Sequence, residues 1–322
     1  MTFHFIFLVI ISILLIVIFL FIVNYKKQKL LEKIIIDALS KMLNEDKFNL
    51  IDLNQFKSNE LKIISKMINN FGEAFFNNKK ENIKLEKVRS EFLGNVSHEL
   101  RTPIFTVQGF LETILDNENL EESIRNSFVE KAHRNILRLN NLLTDLIEIS
   151  KIESGEMRMN FRYFNPNEEF IDIINDLEPT AEQANIKLNY NYVGSEKDNI
   201  LILGDKEKLK QVIGNLIENA IKYNKPNGNV TLEVTPLEDE VSICIIDNGI
   251  GIDNEDIPRL FERFYRVNKS RSRSVGGTGL GLAIVKHIIE AHETQINVIS
   301  TLGVGTTFKF NLKKIGKSNK NS

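Results

Sequence analysis

Residues 92–109 read FLGNVSHELRTPIFTVQG, so a histidine, an acid and a proline sit inside an apolar helical rhythm. At 100° per residue, His98 lies about 160° from both Val96 and Leu100, which turns it away from the apolar stripe and toward solvent. Glu99 adjoins it on the flank nearer the core, and Thr102, one turn on, shares its face. Pro103 removes the helical hydrogen bond to the Glu99 carbonyl, so a bend is expected beside the histidine. A lone surface histidine signals little. Here, however, an exposed imidazole, a neighbouring carboxylate and a helix bend coincide.

A second group lies downstream. In the helix opened by Asp205, Asn215, Asn219 and Lys222 fall at i, i+4 and i+7, and Tyr223 borders them. One face thus carries two amides and an ammonium, suited to magnesium already held by phosphates and to the phosphates themselves, although such a face is also what solvation alone produces. The run DNGIGID ends an apolar strand on Asp247, which either accepts from an exocyclic amine or closes a turn. Gly249 and Gly251 let backbone approach a flat ligand. GGTGLGL places Gly277, Thr278, Gly279, Leu280 and Gly281 before a helix, whose free N–H groups favour phosphate. A dinucleotide fingerprint is the alternative, but no βαβ unit with an acid some twenty residues on accompanies it.

These groups need elements to hold them. Phe3–Val23 contains no Asp, Glu, Lys or Arg and as a helix would span about 31 Å, a bilayer's thickness. Lys26, Lys27 and Lys29 follow it, which predicts a single-pass anchor over 1–24 in the bacterial inner membrane, with the rest in the cytoplasm and no external sensory domain. Residues 25–84 predict a helical linker, a signalling segment or a spacer. It lacks the proline usual in a HAMP-like module.

From 85 to 155 two amphipathic helices flank the polar DNENLEES. Val88, Phe92, Val96, Leu100, Ile104, Val107, Leu111 and Ile114 form one stripe; Ile124, Phe128, Ala132, Ile136, Leu139, Leu143 and Leu146 form the other. A hairpin this apolar predicts a homodimer closed as a four-helix bundle. From 156 to 315 short strand-like runs alternate with the helices KEKLKQVIGNLIENAIKYN and GLAIVKHIIEAH. That pattern predicts an α/β two-layer sandwich with a mixed sheet. A disordered tail is expected over 316–322.

Composition narrows the function classes. The 41 basic and 43 acidic side chains nearly cancel, leaving no field to recruit nucleic acid. The one cysteine, Cys244, excludes an intramolecular disulfide and reads as a core thiol in a reducing compartment.

In this order, FLGNVSHELRTP, NLIENAIKY, DNGIGI, FERFYR and GGTGLGL resemble the H, N, G1, F and G2 boxes of the sensor histidine kinases of two-component systems. The resemblance implies a dimerisation and phosphotransfer hairpin joined to a Bergerat (GHKL) ATP-binding domain. It also implies a protein-histidine kinase that uses ATP and Mg2+ and passes phosphate to an aspartate of a response regulator. His98 would accept the phosphoryl group with Glu99 as base or orienter, Asn219 would hold magnesium, and Asp247 would read adenine. Lys222 and Arg266 would offset phosphate charge, with Lys269, Arg271 and Arg273 in a closing lid. Thr102 would position water for dephosphorylating the regulator, which makes a mainly phosphatase output one alternative and a non-catalytic scaffold another. Related ATPases of the chaperone and gyrase kind carry a glutamate where Asn215 stands; an amide directs no water, which keeps the γ-phosphoryl for an outside nucleophile. The chain departs from the pattern at HETQ, 292–295, where many relatives have a glycine pair.

Overall fold

The computed structural model describes residues 2–44, 50–56, 58–117, 119–194, 200–267 and 277–315, with 2–13, 42–44 and 55 in backbone only. It divides into two compact units, Met1–Glu91 and Phe92–Ser322.

In the first unit, helix α1 covers Thr2–Asn44 and helix α2 begins at Asn59. Lys27 pairs with Glu60 in the first turn of α2. The side chain of Asn69 accepts from the Ile51 N–H (2.8 Å) and donates to the Ile51 carbonyl (2.9 Å). The connector therefore climbs back along the helices, and α1 and α2 run parallel here, with Ala38, Phe56, Leu61 and Phe76 buried. Among the described residues no helix is long and apolar enough to cross a membrane. The side chains of the expected span are described only from Leu14 on.

The second unit takes up α2, which continues through Pro103 without interruption to Leu115; α3, Glu122–Glu153, completes the hairpin. The two helices meet through Phe110 of α2, beside the expected stripe, and Phe128 of α3, stacked at 5.4 Å. Much of the apolar surface stays open: Ile104, Leu111, Ile136 and Leu143 are each about half exposed.

Beyond the hairpin come β1 (Arg162–Phe164), α4 (Pro166–Gln183), β2 (Lys187–Tyr192), β3 (Ile202–Gly204), α5 (Lys206–Lys222), β4 (Asn229–Pro236), β5 (Glu240–Asp247), α6 (Gly281–Ala291), β6 (Asn297–Thr301) and β7 (Gly305–Lys313). The main sheet runs β2-β4-β5-β7-β6, parallel between β2 and β4 and antiparallel elsewhere; β1 and β3 pair apart. Alternation along the strands turns Val230, Leu232, Val234, Val241, Ile243, Ile245, Phe308, Phe310 and Leu312 onto one buried face. Leu209, Val212, Ile213, Leu216 and Ile217 of α5, with Ile284, Val285, Ile288 and Ile289 of α6, are buried in the same core. Each such side chain contributes roughly 1.5–3 kcal/mol on burial, enough to fix which face of α5 stays free for polar work. The mixed sheet and helical layer match the expected sandwich. Helix α4 was not among the expected elements, and the stretch before it contributes only the three-residue strand β1.

His292 ties the end of α6 to the start of α5. It is 7% exposed; its Nδ1 faces the Ile288 carbonyl at 2.7 Å, and its Nε2 accepts from the Asp205 N–H at 3.0 Å. Only the neutral ring with its proton on Nδ1 satisfies both partners. Burial pushes its pKa below the ordinary imidazole value, against the weaker pull of the Ile288 carbonyl and Asp205. A depressed histidine pKa contributes stability that is complete above about 6.5 and is lost as pH falls through the folded value. Melting between pH 7.5 and 5 should therefore show a loss of stability that His292→Asn flattens; an identical slope in the variant would remove His292 as the cause.

Candidate functional site

The hairpin places the first group as its spacing predicts. His98 and Thr102 are exposed and Glu99 is half-buried on the flank. The Thr102 hydroxyl donates to the His98 carbonyl at 3.3 Å. The Glu99 carboxylate pairs across the hairpin with Arg138 of α3, at 3.5 Å.

The second group converges at one end of the sheet. Strand alternation puts Asp247 on the same face as Ile243 and Ile245, one step past the last apolar residue, so the carboxylate ends at the mouth of the core. Its Oδ1 accepts from the N–H groups of Gly249 (2.8 Å) and Thr306 (3.2 Å), which leaves Oδ2 without a protein partner among the described residues. Burial raises the Asp247 carboxyl above its ordinary range, and the two backbone donors pull it partly back. Gly251 has φ +67, and a side chain there would collide with the Thr301 carbonyl oxygen. A side chain on Gly249 would meet Tyr223 and Asn224. Both positions need glycine to keep the turn against its neighbours.

On α5, the amide of Asn215 lies against Gly281, the first residue of α6, about 3.7 Å from where a Cβ would be. The two amide and glycine motifs thus meet. Asn219 and Lys222 are half-buried on the same face. The Lys222 ammonium packs over the Tyr223 ring, 5.2 Å from its centroid, in space that a side chain on Gly277 would fill. Burial first, then the charges of Arg266 and Arg138, push its pKa down to about 8, with Glu218 opposing. Gathering cations this way is unfavourable unless an anion joins them. Gly279, at φ +73, accepts from the Phe264 N–H at 2.8 Å, which ties the aromatic motif to the glycine-rich turn. Lys269, Arg271 and Arg273 lie outside the described residues, as does the tail 316–322.

Several contacts escaped the sequence reading. They join the hairpin to the sandwich, mostly through α3. The Thr278 hydroxyl donates to Asp145 at 2.8 Å and accepts from the Leu280 N–H at 3.2 Å. Glu148 takes both Lys208 and Gln211, and Glu153 takes Arg263. Phe92 of α2 lies 5.7 Å from Phe264. Burial raises the Asp145 carboxyl, and the Thr278 bond partly offsets this. Arg138, Leu142, Asp145 and Ile149 fall at i, i+4, i+7 and i+11, so a second α3 stripe was present in the sequence with polar members at 138 and 145.

Comparison with known proteins bears on this arrangement directly. Residues 88–155 match the model of the His Kinase A (phospho-acceptor) domain, and residues 204–315 match that of the histidine kinase-, DNA gyrase B- and HSP90-like ATPase. The chain belongs to the histidine kinases. The kinase is 38% identical over 245 residues to drug sensory protein A of Synechocystis sp., covering 71% of this chain and 36% of that one. It is 37% identical over 235 residues to sensor histidine kinase WalK of Bacillus subtilis, covering 72% and 38%. The chain thus spans little more than a third of these two relatives' lengths. Among solved structures, Acinetobacter baumannii histidine kinase AdeS superposes with a TM-score of 0.54 at 27% identity, covering 67% of this kinase and 97% of AdeS. Histidine kinase ThkA, solved with response regulator protein TrrA, shares the fold with a TM-score of 0.58 at 22% identity, covering 74% and 66%.

Proposed function

We propose that this kinase phosphorylates itself on His98 from ATP and passes the group to an aspartate of a response regulator. One observation carries the reading: an exposed imidazole with a held carboxylate beside it lies in the same compact unit as an acid-ended strand, an amide-and-lysine helix face and a glycine turn. A ring nitrogen of His98 forms the bond to the γ-phosphorus while the bond to the β–γ bridging oxygen breaks, and ADP leaves with that electron pair. Glu99 holds the proton on the other ring nitrogen. Asp247 Oδ2 accepts from the adenine amine, and Lys222 and Arg266 face the phosphates.

Among the described residues no group of three or more His, Cys, Asp or Glu could hold a metal ion. The donors present fit magnesium only in company with phosphate oxygens, through the Asn219 carboxamide. The ion would draw charge off the transferring phosphoryl group.

The open apolar face of the hairpin forms a groove of about 350 Å³ lined by Ile104, Val107, Leu111, Ile136 and Leu139. It supports a homodimer closed as a four-helix bundle. Ten consecutive apolar residues, Leu14–Val23, are each at least 45% exposed on α1, which supports a single-pass anchor in the cytoplasmic membrane with the kinase domains inside. The parallel helices after it support a HAMP-like coupling module. Thr102, exposed one turn from His98, supports regulator dephosphorylation as a second output.

Incubation of the full chain with γ-labelled ATP and magnesium tests the proposal. Label should appear that is stable in alkali and lost in acid, and should move to a receiver domain. Absence of label, or a label stable in acid, would overturn it.

A further inference from the structure

The Glu99–Arg138 pair ties the first group to α3, and Arg138 has no role in the reading above. Arg138 belongs to α3 and stands across the hairpin from Glu99, at 3.5 Å; both side chains are about a quarter exposed. Its charge also reaches Lys222 on the sandwich and, with Arg266, lowers that ammonium's pKa. The next polar residue on the stripe, Asp145, holds the Thr278 hydroxyl, which sets α3 at a fixed station against the glycine-rich turn that crowds Lys222. One guanidinium thus touches the neighbour of the acceptor and sits within electrostatic reach of the lysine that faces the donor.

We propose that Arg138 is a positioning residue for phosphoryl transfer: from across the hairpin it holds the Glu99 carboxylate in register beside His98. A planar guanidinium suits this task, since it keeps its charge at any working pH and can bond a carboxylate along one edge. The inference rests on the assignment of His98 as acceptor.

The test separates binding from transfer. In the full chain, Arg138→Met should slow labelling at saturating ATP by about 10- to 100-fold, the range for residues that orient a reacting group. Affinity for ADP, followed by a fluorescent nucleotide, should change less than about twofold, because Arg138 does not reach the adenine end. Arg138→Lys should restore part of the rate by returning charge without the fork. Combined with Glu99→Gln, Arg138→Met should add little to the single defect, as expected of two residues acting through one contact. An unchanged rate, a matching loss of ADP affinity, or defects that multiply would each overturn the inference. If the unaltered chain fails to take label at all, the acceptor assignment falls instead, and the two failures are distinguishable.

Discussion

Replacing His98 with glutamine is expected to reduce incorporation of label from γ-labelled ATP to background. Glutamine keeps a polar side chain of similar reach and is a good helix former, and the position is exposed, so folding free energy should change by no more than about 0.5 kcal/mol. The amide nitrogen has no available lone pair to attack phosphorus, so the chemical step goes while the nucleotide site is untouched. ADP affinity and the melting temperature should match the unaltered chain, which separates loss of the acceptor from loss of the fold. Full-strength labelling of the variant would move the acceptor elsewhere. His133, also exposed on the hairpin, would be the next position to examine.

The exposure of His98 was legible because it depends only on helix geometry, and α2 is helical throughout this stretch. The same holds for Asp247, whose place follows from alternation along β5. Helix α4 carried signals that Pro179 obscured: the Asn165 side chain caps the Asn167 N–H, Pro166 opens the helix, and Phe170, Ile173, Ile174 and Ala181 recur at helical spacing and are buried. The short β1 has a physical cause too. Asp205, whose Oδ1 caps α5 at Lys208, takes the Asn160 N–H with Oδ2, so that residue's donor goes to a side chain.

The turn after α6 forms without the glycine pair that many relatives have there. Glu293 adopts φ +58, at a cost of about 1–2 kcal/mol, and its carboxylate meets Lys313 at 2.7 Å on the surface. What local pattern could not show is pairing at a distance: the parallel β2–β4 register, the backbone donor from Thr306 that orients Asp247, and the α3 stripe that meets the glycine-rich turn. Each joins residues dozens of positions apart, and only the assembled core specifies which faces meet.

The second large effect is expected at Asp247. In Asp247→Asn the carbonyl oxygen can still accept from Gly249 and Thr306, so the turn and the sheet end should survive. The other atom becomes an NH2 group where Oδ2 stood, and a donor then faces the donor of an adenine amine. Losing a charge-assisted bond and leaving two donors opposed should cost about 2–3 kcal/mol, or roughly 30- to 150-fold in ATP affinity. Removing the partly desolvated carboxylate should leave the empty domain as stable as before or slightly more so, because the group's charge is held against burial in the fold. Melting curves and nucleotide titration on the same sample therefore move apart, stability holding while affinity collapses. Nucleotides that carry an oxygen in place of the exocyclic amine should lose discrimination against ATP in this variant, since their acceptor now meets the asparagine NH2. Unaltered affinity for ATP would show that the base is read elsewhere.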